Sequence, residues 1–132
     1  MKQILQHLGN GKTSLEMIPA PLIKKNHILI KTKISLISLG TEKLLIDFGK
    51  SNLINKARSQ PDKVKQVIEK LKSDGFISTI DSISTKLSEQ IPLGYCNLGE
   101  VIDTGCEEFK KGDIVISNGP HAEIVLVSKN LC

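Results

Sequence analysis

Aromatic residues are almost missing from this chain: there is no tryptophan, one tyrosine, Tyr95, and 3 phenylalanines in 132 residues. A core built from such a sequence must be packed with isoleucine, leucine and valine. Arginine is nearly absent as well, with Arg58 alone among 18 basic residues, so the net charge of +4 is carried by lysine. Surfaces that read phosphate backbones use clustered arginine interleaved with aromatics, and the lack of both argues against a nucleic acid partner. No run approaches the roughly 20 apolar residues of a membrane span. Gln3, Gln6 and His7 interrupt the amino-terminal region where a signal peptide needs an apolar core. We therefore expect a cytoplasmic protein without membrane contact. The 3 cysteines, Cys96, Cys106 and Cys132, form no Cys-x-x-Cys pair and are odd in number. Free thiols in a reducing compartment fit this better than a disulfide framework or a zinc site made of thiolates.

What is present is an ordinary globular balance, 39% hydrophobic and 24% charged, at the length of one domain. Such a chain buries roughly two-thirds of the surface its unfolded form exposes. Residues 2–8, the turn Gly9-Asn10-Gly11 and residues 13–18 predict a β-hairpin that ends at Pro19-Ala20-Pro21. From His27 to Ser38, isoleucines alternate with Lys31, Lys33 and Ser35, the pattern of a half-buried strand whose lysines face water. Leu39-Gly40-Thr41-Glu42 breaks this strand, and residues 43–48 read as a short helix with Thr41 as its N-cap.

The composition then changes to helix formers, and we read residues 51–91 as a helical insertion into a β domain. Pro61 suits a first helical position, Val64, Val67, Ile68 and Leu71 follow at helical spacing, and Gly75 is a natural stop. A second helix is predicted over 77–89, ended by Pro92. The apolar stripes have two readings: they pack on each other and on the β domain, or one forms a homodimer contact or a lid. Beyond the insertion, Gly94-Tyr95-Cys96-Asn97 leads into a strand, Asp103-Thr104-Gly105 turns it, and Phe109-Lys110-Lys111-Gly112-Asp113 turns into a second strand. Asn118-Gly119-Pro120 precedes a final strand that starts at His121.

Gly40-Thr41-Glu42, Gly94-Tyr95-Cys96 and Phe109-Lys110-Lys111-Gly112-Asp113 together resemble the first domain of the medium-chain dehydrogenases, the alcohol-dehydrogenase and quinone-reductase group. That resemblance implies a mainly β domain with an α insertion, a partly open β barrel of the GroES type over residues 1–132. It also implies a dinucleotide-binding domain that follows in a longer protein, and hence NAD or NADP as cofactor. The glycines of this chain make no such site, since a dinucleotide fingerprint needs three glycines between a strand and a helix. With Asn118-Gly119-Pro120-His121-Ala122-Glu123 added, the pattern looks most like two-part bacterial oxidoreductases joined to a glucose–fructose-oxidoreductase-like half. A small-molecule substrate of the sugar or sugar-nucleotide class, in surface-polysaccharide synthesis, is the corresponding expectation. The alternative from another class is a non-catalytic module whose helices mediate assembly.

Where the family holds a catalytic zinc through cysteine and histidine, this chain has Leu39 and Tyr95. Leucine has no lone pair and a neutral phenol is a poor ligand, so no zinc is expected. What remains in those places is polar. Thr41 matches the family's relay hydroxyl, or it caps a helix. Tyr95 is a candidate to orient or protonate a substrate carbonyl, or it packs in the core. His121 falls on the residue that lines the family's substrate pocket, where an imidazole exchanges a proton near neutral pH, or it is structural. Glu42 is a candidate substrate-side partner of Tyr95, or a surface acid at a helix start, and Cys96 is a second substrate-side candidate, or a small buried hydrophobe.

Overall fold

The computed structural model describes residues 1–74, 85, 86 and 88–132. Its strands are β1 (Lys2–His7), β2 (Thr13–Met17), β3 (His27–Ser35), β4 (Gln90–Pro92), β5 (Asn97–Thr104), β6 (Ile114–Ser117) and β7 (Ile124–Ser128). Its helices are α1 (Leu39–Lys50), α2 (Leu53–Ser59) and α3 (Pro61–Asp74), with a 3-10 turn at Lys129–Leu131. Two antiparallel sheets, in the orders β6-β5-β3-β7 and β2-β1-β4, make a mixed α/β fold with no closed barrel among the described residues. This agrees with a small domain of the GroES-like type. No described helix is long and apolar enough to cross a membrane.

The chain divides into two compact units. The first, Met1–Leu5, Ser14–Glu42 and Pro92–Cys132, contains the four-stranded sheet. Alternation in β3 buries Ile28 and Ile30 and leaves Lys31 and Lys33 in water, as the sequence pattern predicts. Ile30 stands opposite Val101 on one side and Val125 on the other. With Ile28, Ala122 and Val127 these residues form the core, and Met1, Cys106, Phe109 and Val115 pack against it. Each such aliphatic side chain contributes about 1.5 to 3 kcal/mol by leaving water. The β3–β5 register slips between Thr32 and Ile34, where Gly99 lies so close to the Lys31 carbonyl that a Cβ would collide with it.

The second unit is Gln6–Thr13 and Lys43–Ile91. Gly11 turns the hairpin at φ +67, and a Cβ on Gly49 would lie 2.5 Å from the Gly11 Cα. Into this close approach comes Lys56, a buried ammonium that donates to the Gly9 and Gly49 carbonyls at 2.8 Å each and stands 5.9 Å from the centre of the Phe48 ring. The Gly49 carbonyl belongs to the last turn of α1, the negative end of that helix. Gln6, fully buried, donates its amide to the Leu45 carbonyl at 2.7 Å.

Among the boundaries that differ from the sequence reading, β3 ends at Ser35, three residues before the expected Ser38. Helix α1 starts at Leu39, because Ser38 accepts the Thr41 N–H through its hydroxyl; Thr41 is inside the helix and is not its cap. Helix α2 was not predicted, and its start is set by Asn52, whose side chain accepts the Asn55 N–H at 2.8 Å. Residues Gln90–Pro92 form a strand instead of the end of an insertion, so the expected 51–91 span closes earlier. His121 precedes the last strand, which begins at Ile124. The start of α3 at Pro61 is as predicted. The stop of α3 expected at Gly75 and the helix expected over 77–89 lie outside the described residues, apart from Thr85, Lys86, Ser88 and Glu89.

Replacing Lys56 by Met keeps the apolar stem and strands two carbonyls. We expect a loss of about 2 to 3 kcal/mol in urea unfolding, since hydrogen bonds to charged groups carry that much. Unchanged stability would mean that water replaces the ammonium.

Candidate functional site

Within the first unit, two stretches far apart in sequence meet at a buried contact. The first is the start of α1. Ser38 and Glu42 cap it reciprocally: the Glu42 Oε1 accepts the Ser38 N–H at 2.9 Å, and the Ser38 carbonyl accepts the Glu42 N–H at 3.0 Å. This is a capping box lengthened by one residue, with the acid in the first turn where the helix dipole favours it. Both faces of the arrangement hold Glu42 in a fixed place, 8% exposed.

The second stretch is Leu93-Gly94 with His121. The His121 N–H donates to the Leu93 carbonyl at 2.7 Å, and the His121 carbonyl accepts the Ile4 N–H at 2.9 Å. Gly94 adopts φ +91 and lies flat against the imidazole; a Cβ there would sit 2.7 Å from Cγ, Nδ1 and Cδ2. His121 is 6% exposed, and its Nε2 stands 3.2 Å from the Glu42 Oε1. Neither ring nitrogen completes a well-aligned hydrogen bond. The contact with Glu42 is therefore one of charge and proximity, and the imidazole keeps unused hydrogen-bonding capacity in a nearly dry place.

A second polar cluster braces the same two loops. Asn97, fully buried, accepts the Ser117 hydroxyl on Oδ1 at 2.5 Å and donates through Nδ2 to the Thr32 hydroxyl at 3.3 Å. Gly119 passes over this amide, where a Cβ would lie 2.6 Å from Nδ2. Residues 93–97 and 117–121 are thus tied at both ends.

The other predicted residues fall around this contact in different ways. Thr41, one residue before Glu42, is exposed, and its hydroxyl accepts that of Ser38 at 3.4 Å. Tyr95, one residue after Gly94, is 41% exposed rather than packed in the core, and its phenol has no hydrogen-bond partner among the described residues. Glu42 is a buried acid that faces His121, which corrects both sequence readings of it, a surface acid and a partner of Tyr95. Cys96 is half-buried with a free thiol, and its carbonyl accepts the Leu36 N–H at 2.9 Å. Ser38, Leu93, Gly94 and Asn97 were missed as site-forming residues. Ser38 carried a signal, the Ser-x-x-Thr-Glu spacing, whereas the roles of Leu93 and Asn97 depend on contacts that sequence spacing does not encode.

Chemically, a carboxylate beside a buried imidazole can hold one ring nitrogen protonated and leave the other to give or take a proton. The donor set suits a metal poorly: Leu39 is 82% exposed and offers no lone pair, Tyr95 is a phenol, and no group of three or more His, Cys, Asp or Glu side chains converges among the described residues. A cavity of about 500 Å³ elsewhere in this unit is lined by Lys25, Asn26, Gly105, Cys106 and Lys129 with Glu107 and Glu108. It holds none of the predicted site residues. There the Lys129 ammonium keeps the Glu108 carboxyl below its ordinary range, as expected for an exposed ion pair.

No family model matches this chain, and no curated protein matches it. Among solved structures it is similar to the quinone oxidoreductase from Coxiella burnetii, with 25% identity and a TM-score of 0.60 over 99% of this chain and 35% of that chain. The likeness supports a fold of the medium-chain dehydrogenase/reductase type and an oxidoreductase-like domain.

Gly94→Ala tests the geometry. The added Cβ meets the imidazole and forces a non-glycine residue to positive φ, which costs about 2 kcal/mol or more. We expect that loss in thermal unfolding together with displaced His121 ring resonances; a variant as stable as the parent contradicts the packing described.

Proposed function

We propose that this chain is the substrate-side domain of a zinc-independent, NAD- or NADP-dependent oxidoreductase of the medium-chain type, acting in the cytoplasm on a small-molecule carbonyl or alcohol. The observation that carries this reading is the buried Glu42–His121 contact, with unused imidazole nitrogens and a half-exposed phenol one residue beyond Gly94. Likeness to a quinone oxidoreductase supports the reaction class, although this chain covers 35% of that protein.

No described strand is followed by a glycine-rich turn and a helix, so the nicotinamide is assigned to a following domain, where it would supply hydride chemistry. This chain's part is to orient the substrate oxygen and manage its proton. Tyr95 or His121 donates a hydrogen bond to that oxygen, and Glu42 stabilises the imidazole in either protonation state that the transfer requires. Thr41, beside Glu42 at the helix start, is the third polar group of the proposed site, and Cys96 lines its substrate side. With leucine and tyrosine in the ligand places, hydrogen-bond donors take over the polarising role that zinc has elsewhere. A sugar or sugar-nucleotide substrate, in surface-polysaccharide synthesis, extends the proposal on resemblance to the two-part oxidoreductases alone. Neither a nucleic acid nor a membrane is proposed as a partner; a homodimer through the helical segment is an extension with no geometric support.

In the longest natural chain that contains these residues, His121→Ala and Tyr95→Phe should each lower kcat roughly 100-fold in an NAD(P)H-linked carbonyl assay, with nucleotide affinity nearly unchanged. Variants that turn over like the parent would remove these residues from the chemistry. Absence of any nucleotide-linked turnover, with assembly lost on changes in α2 or α3, would favour the non-catalytic module. Stoichiometric zinc in the purified protein would overturn zinc independence.

A further inference from the structure

Strand β3 begins, and β5 and β7 end, at one edge of the four-stranded sheet, and the cavity of about 500 Å³ lies there. It shares no residue with the Glu42–His121 contact. Its walls are stitched by backbone hydrogen bonds. The Asn26 N–H donates to the Gly105 carbonyl at 3.0 Å, the Gly105 N–H to the His27 carbonyl at 2.9 Å, and the Lys129 N–H to the Asn26 carbonyl at 3.0 Å. Asn26 takes φ +60 in this arrangement, and Gly105 passes so close to the Lys24 carbonyl that a Cβ would lie 2.2 Å from it. The cavity is thus formed without a ligand, at a volume usual for small-molecule sites.

The charges around it are not all satisfied. Lys129 and Glu108 are bound to each other. Lys25 and Glu107 line the same cavity and belong to no ion pair among the described residues. A ligand with only a negative charge meets Glu107 as well as Lys25, and one with only a positive charge meets Lys25 as well as Glu107. A zwitterion uses both. Between the charged walls is the half-buried thiol of Cys106. The Thr104 hydroxyl holds that residue in place: it donates to the Cys106 carbonyl at 2.9 Å, accepts the Cys106 N–H at 3.2 Å and stands 3.4 Å from Sγ.

We propose that this cavity is a thiol-exchange site, in which Cys106 forms a mixed disulfide with a low-molecular-weight disulfide that carries both ammonium and carboxylate groups, of the glutathione class. Cys106 loses its proton to solvent, and Sγ attacks one sulfur of the disulfide. The new Sγ–S bond forms as the old S–S bond breaks, and the departing thiolate takes up a proton. Cys106 is oxidised, one half of the small disulfide is reduced, and an excess of the reduced small thiol reverses the step. The retained half lies in the cavity with a carboxylate toward Lys25 and its ammonium toward Glu107. This inference does not rest on the oxidoreductase reading, and neither falls with the other.

The test measures modification rates at all three thiols of the 132-residue chain by peptide mass spectrometry. Glutathione disulfide is the probe, and bis(2-hydroxyethyl) disulfide, which is neutral, corrects for the intrinsic reactivity and exposure of each thiol. Each exposed ion pair gained is worth about threefold, so the rate ratio of the two disulfides should be about tenfold higher at Cys106 than at Cys96 or Cys132. Lys25→Gln and Glu107→Gln should each lower the Cys106 ratio about threefold, leave the neutral disulfide's rate unchanged and leave the other two thiols alone. Cystamine, which has ammonium groups only, should gain nothing at Cys106. Equal ratios at the three thiols, a Cys106 ratio indifferent to both substitutions, or a cystamine gain as large as that of glutathione disulfide would overturn the proposal. So would a Cys106–Cys132 disulfide in place of the adduct, since the cavity would then not retain its ligand.

Discussion

Burying a carboxylate is expensive unless it is bonded on every side, and the site described depends on how that cost is met at Glu42. One carboxylate oxygen accepts the Ser38 N–H and stands 3.2 Å from the His121 Nε2. The first contact fixes where α1 begins, and the second fixes what must stand opposite. Gly94 then has to be a glycine, since both its φ of +91 and the imidazole on its face exclude a side chain. The Leu93 carbonyl and the Asn97–Ser117 bond hold the two loops at that separation. Thr41 and Tyr95 take their places from Glu42 and Gly94, their immediate neighbours in the chain.

The β framework was legible because its signals are local. The isoleucine–lysine alternation from His27 onward is a period-2 pattern, and β3 follows it through Lys33, whereas Ile34 is exposed and the strand ends at Ser35. Gly9-Asn10-Gly11 and Lys111-Gly112-Asp113 are turns for reasons of backbone chemistry, and strands flank both. Strand β4 was not legible, because Pro92 reads as a stop; its pairing with β1, extended by the Leu93 N–H to the Ile4 carbonyl, is a long-range fact. The N-cap was misplaced by three residues because Thr41 and Ser38 are both good capping residues, and spacing alone does not choose between them. Helix α2 escaped notice since seven residues carry too little periodicity to read.

The site divides along the same line. His121 and Glu42 are recognisable as candidates from their motifs, yet their mutual contact is not, since sequence leaves Glu42 as either a partner of Tyr95 or a surface acid at a helix start. Proximity of residues far apart in the chain is decided by sheet order and loop closure, not by residue type. Exposure was similarly hidden: Ile34, Leu36, Ile37 and Leu39 continue an apolar strand pattern in sequence, yet all four stand in solvent.

The central claim is that Glu42 and His121 act as one unit. Nitrogen-15 spectroscopy of the His121 imidazole tests it most directly, because it reports which ring nitrogen holds the proton, an assignment that atomic positions alone do not give. The account predicts a proton on Nε2, directed at the Glu42 carboxylate, and a clear shift of the Nε2 resonance in Glu42→Gln with Nδ1 much less affected. A proton held on Nδ1, or an Nε2 resonance indifferent to the Glu42 substitution, would contradict it.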